Sequence, residues 1–180
     1  MAVCPILDAM QNGLHSHAPV IVRHATLRDA AEVVDFKREI SVADGVERLF
    51  DADLDDWARD GIGPGARFVT LVAELSASVV GMATFNEQPF AGMTSPAIYL
   101  QDIFVRPEHR RRGIGHALLM RVAAEAQSRG ASLVYLNVRA DNPARRLYDR
   151  LNFAQAQNCL VYVLIGPALD KLTKLPTIGP

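Results

Sequence analysis

Residues 105–119 read Val105-Arg-Pro-Glu-His-Arg110-Arg-Arg-Gly113-Ile-Gly115-His-Ala-Leu-Leu119. An apolar run stops at a proline, a basic turn with two glycines comes next, and from Gly113 the apolar residues recur with helical spacing. Ile114, Leu118, Val122 and Ala126 form one stripe, with Ala117 and Leu119 beside it. The segment is a strand, a short loop and a long helix. Orphan backbone N–H groups and the positive end of the helix dipole converge where such a loop enters its helix. Gly113 and Gly115 let the backbone approach a phosphate with no Cβ in the way, and Arg110, Arg111 and Arg112 add charge-assisted donors. A Walker A loop would need Gly-Lys-Ser/Thr, which is absent. A dinucleotide fingerprint would need a third glycine where Leu118 stands. What remains is Arg-x-x-Gly-x-Gly, either a pyrophosphate loop of another kind or a capped helix with solvated arginines.

The flanks alternate between the two periodicities. Upstream, Ala97–Val105 is a strand ended by Arg106-Pro107, since proline cannot continue a ladder. Before it, beyond a loop at Gln88–Pro96, Arg67–Glu74 and Val79–Phe85 read as a hairpin turning at Leu75–Ser78. Val20–Arg23 is a short strand. Thr26-Leu-Arg-Asp29 has capping-box character ahead of a helix carrying Ala30, Val33, Val34 and Lys37, to about Glu39. Asp53 to Gly61 is a second short helix. Downstream, Gly130 supplies a left-handed stop, followed by a strand at Leu133–Val138, a helix at Pro143–Leu151 and a strand at Cys159–Ile165. This order is that of an α/β domain with a mixed sheet. The expected boundaries are an N-terminal extension at 1–18, one domain over 19–166 and a C-terminal tail at 167–180.

Composition bounds the function. With 19 basic against 20 acidic residues, the net charge of −1 argues against a chain that coats nucleic acid. Two distant cysteines, Cys4 and Cys159, argue against a disulfide scaffold or zinc cluster and for a reducing, cytoplasmic setting without a metal. The longest uncharged stretch, 151–169, is broken by Asn152, Gln155, Gln157, Asn158 and Gly166-Pro167, so a membrane association is not expected.

The chain from about Val20 to Ile165 resembles the GNAT superfamily of acyl-CoA-dependent N-acetyltransferases. Arg110-Arg-Arg-Gly113-Ile-Gly115 matches its pyrophosphate motif, Tyr135-Leu-Asn-Val138 its fifth strand, and Asn142-Pro-Ala-Arg-Arg-Leu-Tyr148-Asp-Arg-Leu-Asn-Phe153 its following helix. Tyr99-Leu-Gln-Asp102-Ile-Phe-Val105, with the preceding hairpin, is similar to the diamine and thialysine acetyltransferase branch. The resemblance implies a mixed, mostly antiparallel sheet of six to seven strands flanked by about four helices, acetyl-CoA as cosubstrate, a small-molecule amine as partner, and a homodimer. It implies that Ile103, Phe104 and Val105 supply the strand edge for pantetheine. It places the phosphates on Arg110, Arg111, Arg112, Gly113, Ile114, Gly115 and His116, with Asp141, Asn142 and Ala144 also toward the cofactor. Tyr148 takes the role of the family's acid.

Three departures carry weight. The family's asparagine falls on Asp141, a carboxylate, leaving Asn142 or the backbone to serve the cofactor; Asn142 before Pro143 also fits a plain N-cap. Asn152 replaces a glycine before Phe153, and asparagine tolerates the left-handed region. Gln101 stands before Asp102 where the polyamine branch has glutamate. An alkylamine with a pKa near 10.4 is protonated at neutral pH, so some group must accept its proton. Asp102 is the nearest carboxylate, as base or water-positioner, unless it faces the other side of the sheet and is structural. Gln101 and the weaker Asn137 are candidate substrate contacts. Asp51, Asp53, Asp55, Asp56 and Asp60 could attract a cation, although a helix N-terminus accounts for them more simply. The expected activity is acetyl transfer to the primary amine of a diamine- or amino-acid-like molecule by direct attack in a ternary complex. Peptide or protein N-acetylation, and an acyl-CoA-binding module of weak turnover, are the alternatives.

Overall fold

Arg23 ties the first strand to the turn after it and to the second strand. On β1 (Ile21–His24) its guanidinium donates both Nη atoms to Asp29 at 2.8 and 2.9 Å, and Nε to Glu74 on β2 (Val69–Leu75) at 3.0 Å. Asp29 closes a capping box, accepting from the backbone N–H and the hydroxyl of Thr26 at 2.7 and 2.9 Å. The expected box is therefore present, around a 3-10 turn (Leu27–Asp29) that leads into helix α1 (Ala30–Ala43). That helix runs one turn beyond the expected Glu39.

The computed structural model describes residues 19–47, 51–89, 92–157 and the single residues 159, 161 and 167. The described chain forms two compact units that meet between Asn142 and Pro143 in sequence. In the first, α1 is followed by α2 (Leu54–Gly61), a hairpin of β2 and β3 (Ser78–Gln88), β4 (Ala97–Val105), a 3-10 turn (Pro107–His109), α3 (Ile114–Ser128) and β5 (Leu133–Leu136). The hairpin turns on Ser76 and Ala77 with φ of 51° and 65°, the pair of positive angles that matches strand twist.

The sheet has the order β1-β2-β3-β4-β5, antiparallel except where β5 lies parallel to β4. It has five strands among the described residues. The extension at 1–18 lies outside the described residues, as do most of the expected last strand, Cys159–Ile165, and all of the tail except Pro167. Leu133–Val138 is shorter than expected, ending at Leu136.

Alternation along the strands builds two layers. Val72, Met82 and Phe104 sit opposite one another and bury themselves against Val33, Val34, Phe36 and Trp57 of α1 and α2, with Phe36 and Phe104 rings 5.0 Å apart. Helix α3 covers the other face through Ile114, Leu118, Leu119, Val122 and Ala126, and Arg129, just past its last residue, lies 5.6 Å from the Phe85 ring. Gly81 permits the close packing of β3 on β4, since a Cβ there would meet the Phe104 carbonyl at 2.6 Å. No described helix is long and apolar enough to cross a membrane.

The Arg23 guanidinium holds the buried Asp29 carboxyl down at about 2, against hydrogen-bond-free carboxylates near 3.9 in unfolded chains. A depressed folded-state value contributes stability that is full above the unfolded value and is lost as pH falls toward the folded one. Asp29→Asn should cost roughly 2 kcal/mol at pH 7, with the gap to the parent closing between about pH 4 and pH 2. Urea unfolding across that range measures it, and a gap independent of pH would show that the charge contributes nothing.

Candidate functional site

The pairing of β4 determines where a site can form. β5 accompanies it only from Ala97, opposite Leu133, to Leu100, opposite Leu136, whereas β3 stays beside it to Val105. Among the described residues, 101–105 thus have a strand neighbour on one side alone. The β3–β4 register also slips here: Phe85 faces Leu100 and Thr84 faces Asp102, leaving Gln101 as the extra, exposed residue. Such a bulge re-aims the side chains beyond it. Leu100 stays on the face that α3 covers, and Asp102 turns to the face of α1 and α2.

Asp102 is held there by two partners. The Thr84 hydroxyl donates to its Oδ2 at 2.6 Å, and the Lys37 ammonium, reaching down from α1, donates to the same oxygen. Oδ1 has no partner among the described residues. Asp102 and Lys37 line a cavity of about 350 Å³ between α1, α2 and β4, whose aromatic wall is Trp57 and Phe68 and whose rim carries Asp44, Asp56 and Asp60. The carboxylates of α2 serve its N-terminus first. Asp53 accepts from the backbone N–H groups of Asp55 and Asp56 at 2.9 Å, and Asp56 returns the bond in a capping box. Arg59 then bonds both Asp56 and Asp60, holding Asp60 below the usual carboxylate range. The helix-terminus account of these residues holds, and Asp56 and Asp60 face the cavity as well.

On the same face of the sheet, Tyr99 and Tyr135 stack with centroids 5.0 Å apart, and Asn137 donates to the Tyr99 hydroxyl at 3.2 Å. Asn137 lies just past the end of β5, so its amide is used by the aromatic pair.

The loop after β4 is fastened at its base. Arg106 N–H donates to the Val80 carbonyl at 2.9 Å, and Arg110 donates its Nε to the Val105 carbonyl at 2.9 Å, which makes Arg110 a brace for the loop. Arg111 takes φ of 62° and Gly113 φ of 79°, and Gly113 is the N-cap of α3 with no side chain bonded to the helix terminus. A left-handed angle is strained at Arg111 and free at Gly113. The first helical bond runs from Ala117 N–H to the Gly113 carbonyl at 2.9 Å, so the N–H groups of Ile114, Gly115 and His116 precede the internal ladder. Arg111 and Arg112 are exposed and have no hydrogen bond or ion pair among the described residues. An uncapped helix terminus, a glycine with no Cβ in front of it, and two uncommitted guanidinium groups suit a pyrophosphate.

Residues 32–153 match the acetyltransferase (GNAT) family. The chain belongs to that family. Over 167 residues it is 29% identical to the thialysine N-epsilon-acetyltransferase of Bos taurus, covering 85% of this chain and 96% of that one. An integron cassette protein from the mobile metagenome of V. cholerae superposes with a TM-score of 0.71 at 20% identity, covering 87% of this chain and 98% of the other. A ribosomal-protein-alanine N-acetyltransferase from Brucella melitensis superposes with a TM-score of 0.61 at 24% identity, covering 81% and 99%. The last two likenesses concern the fold. This GNAT chain is an acetyltransferase, and the family's acetyl donor is acetyl-CoA.

The remaining family positions lie between Arg139 and Phe153. Arg139 clamps both oxygens of Asp141 at 3.0 and 2.9 Å and lowers its pKa, so this exposed carboxylate is charge-paired by its neighbour. Asn142 N–H donates to the Arg139 carbonyl at 3.1 Å. The helix expected from Pro143 begins later, as α4 (Arg145–Arg150), with Ala144 in the N-cap position instead of Asn142. Pro143 and Ala144 form a tight lead-in, their carbonyls accepting from Arg146 and Leu147 at 3.3 and 2.9 Å. This α4 belongs to the second unit. Its end confirms the reading of Asn152, which adopts φ of 60°. Asn152 N–H bonds the Asp149 carbonyl at 3.1 Å and Phe153 N–H bonds the Tyr148 carbonyl at 3.0 Å, with the two rings 5.7 Å apart. That is a Schellman closure, and it buries Tyr148 to 7% exposure. Burial raises the Tyr148 pKa above its ordinary value, so the phenol stays protonated at neutral pH.

Sequence reasoning missed Thr84, Trp57 and Phe68 as parts of the cavity, and missed what Lys37 does. The signal for Lys37 was present: it occupies the apolar stripe of α1.

Gly115→Asp would set a carboxylate among the orphan N–H groups, where the dipole favours it and the fold should stand, but where a phosphate would be repelled. At a hundredfold excess over Kd, a ligand stabilises by about 2.7 kcal/mol. CoA should raise the melting temperature of the parent and leave that of Gly115→Asp unchanged in differential scanning calorimetry. Equal shifts in both proteins would place the phosphates elsewhere.

Proposed function

We propose that this GNAT chain moves the acetyl group of acetyl-CoA to a primary amine of a small diamine- or amino-acid-like molecule, by direct attack in a ternary complex. One observation supports it most: Asp102 belongs both to the stretch of β4 that lacks a β5 neighbour and to the wall of an acidic, aromatic cavity. A cation with an apolar stem fits such a wall, since carboxylates attract the ammonium and the ring faces of Trp57 and Phe68 accept both parts.

Acetyl-CoA supplies the thioester carbonyl that the amine attacks. The chain contributes four things. Arg111, Arg112 and the amides of Gly113 to His116 receive the phosphates, with Arg110 bracing them. The backbone of Ile103, Phe104 and Val105, unpaired toward β5, can pair with an extended ligand and polarise a carbonyl. Asp102 orients the ammonium and takes its proton, directly or through a water, while Gln101 at the bulge contacts the rest of the acceptor. Tyr148, by the family pattern, donates a hydrogen bond to the departing sulfur. Its raised pKa makes full proton transfer to a thiolate near 8.5 more uphill, so donation without transfer is its role.

A panel of diamines, lysine-like amino acids and short peptides, assayed by CoA release, tests the acceptor class; acetylation of peptides alone would overturn it. Tyr148→Phe keeps the ring and its packing and, by removing one hydrogen-bond donor to developing charge, should lower kcat by about 10²-fold with CoA affinity intact. Turnover within twofold of the parent would remove the hydroxyl from the reaction.

Asp102→Asn should depress kcat/KM most at neutral pH. The deficit should shrink as pH approaches the acceptor's own pKa near 10.4, because the amine then arrives neutral. Superimposable pH–rate profiles of parent and variant would show that Asp102 neither accepts nor positions the proton.

A further inference from the structure

The acceptor cavity already contains an alkylammonium, and it is the protein's own. Lys37 carries a primary ammonium on a four-carbon stem, the chemistry of the molecules proposed above, and its head makes the contacts that such a molecule would make. It donates to Asp102 and lies 5.8 Å from the centroid of the Phe68 ring, within the range of a cation–π contact. The other cavity carboxylates differ from it: Asp44 lies at the rim, at the end of α1. Asp56 and Asp60 share Arg59, whereas the Asp102 side chain is 16% exposed and has Lys37 as its ion-pair partner.

We infer that Lys37 is a tethered competitor for the cation position of this cavity, and so a specificity-determining residue. This rests on the reading of the cavity as the acceptor site. Oδ2 of Asp102 already accepts from both Lys37 and Thr84, and a second ammonium on the remaining Oδ1 would be repelled by the first across a few ångströms of partly buried cavity wall. An incoming alkylammonium therefore replaces Lys37 on Asp102. The lysine can leave: its side chain is 25% exposed, and it regains rotamer freedom when it swings out. Acceptors that bind only through an ammonium have to outcompete an intramolecular copy of themselves. Those with further groups for Trp57, Phe68 or the rim carboxylates have an advantage that simple alkylamines lack.

The test uses the full chain without acetyl-CoA and n-butylammonium chloride as probe, its head and stem matching those of lysine. Its Kd is measured by NMR titration for the parent, Lys37→Met and Lys37→Arg. Lys37→Met, which keeps the stem and removes the charge, should bind the probe about tenfold more tightly, equivalent to about 1.4 kcal/mol. Lys37→Arg should stay near the parent. Equal or weaker binding by Lys37→Met, including no detectable binding by either protein, overturns the inference in favour of a plain tie between α1 and β4.

A second measurement needs no variant. Saturating n-butylammonium should raise trace acetic anhydride labelling of Lys37 at least threefold relative to the chain's other lysines, Lys171 and Lys174, in the same sample, a ratio that consumption of anhydride by the probe leaves unchanged, resolved by peptide mass spectrometry. Unaltered Lys37 labelling at saturation also overturns it. The two readings fail separately. Tighter binding by Lys37→Met with no acetyl transfer to any amine sinks the acceptor assignment alone, and acetylation of amines with equal Kd values sinks the competitor alone.

Discussion

A central strand that loses one neighbour halfway along its length is the constraint on which the rest of this domain turns. Among the described residues, β4 is paired on both sides through Leu100, and from Gln101 to Val105 it has β3 alone beside it. Backbone N–H and C=O groups inside a protein have to find partners, so a half-paired strand near the core invites another extended group to complete it. The same five residues lead directly into the Arg110–Gly113 turn, whose base is pinned to Val105 and Val80. A strand edge without a β5 neighbour and a helix terminus without a side-chain cap are thus consecutive in sequence. One ligand with an extended arm and a pyrophosphate end can use both, which matches the family's donor.

The bulge at Gln101 adds the second half of the site. A regular ladder would place Asp102 on the face of Leu100, beneath α3; the extra residue sends it to the face of α1 and α2 instead. There it meets Lys37 and Thr84, where the loss of hydration is offset by a counter-charge and a hydroxyl. The acids of α2 reach the same cavity from the other side and are offset by Arg59. Asp56, Asp60 and Asp102 each have a local counter-charge, and a net charge near zero says little about how anionic one wall can be.

Much of this architecture was legible in the sequence because it depends on local patterning. The apolar stripe from Ile114 to Ala126 marked α3, Thr26 and Asp29 marked a capping box, and Asn152 carried a left-handed helix end. Arg-x-x-Gly-x-Gly marked the turn into α3, whose helix start carries no side-chain cap and which is proposed above to receive the phosphates. What escaped notice is long-range. A bulge is a mismatch between two strands, so neither β3 nor β4 alone reveals it. The cavity draws Lys37, Trp57, Phe68 and Asp102 from four separate segments, and no spacing rule connects them. The start of α4 differed for a local reason: Pro143 begins a tight turn whose first bonds are of the i to i+3 kind, so the helix is delayed past Asn142.

The strained positions fall where a ligand would compensate for them. Arg111, a residue with a Cβ, holds a left-handed angle at an exposed loop, and α3 begins with no side-chain cap. Each is a small destabilisation: glycine at 111 would relieve the first, and a serine or aspartate at an N-cap of ordinary backbone angles the second, at about 1 kcal/mol for the cap. A capping side chain would occupy the same amide hydrogens that an anion needs. The missing cap and the loose arginines are therefore one feature: the helix terminus leaves open what a phosphate would fill. Lys37 is the opposite arrangement, a cation position filled from within, and the two ends of the proposed site differ in this respect. The donor end is open and complementary, whereas the acceptor end has its own occupant and discriminates by what can displace it.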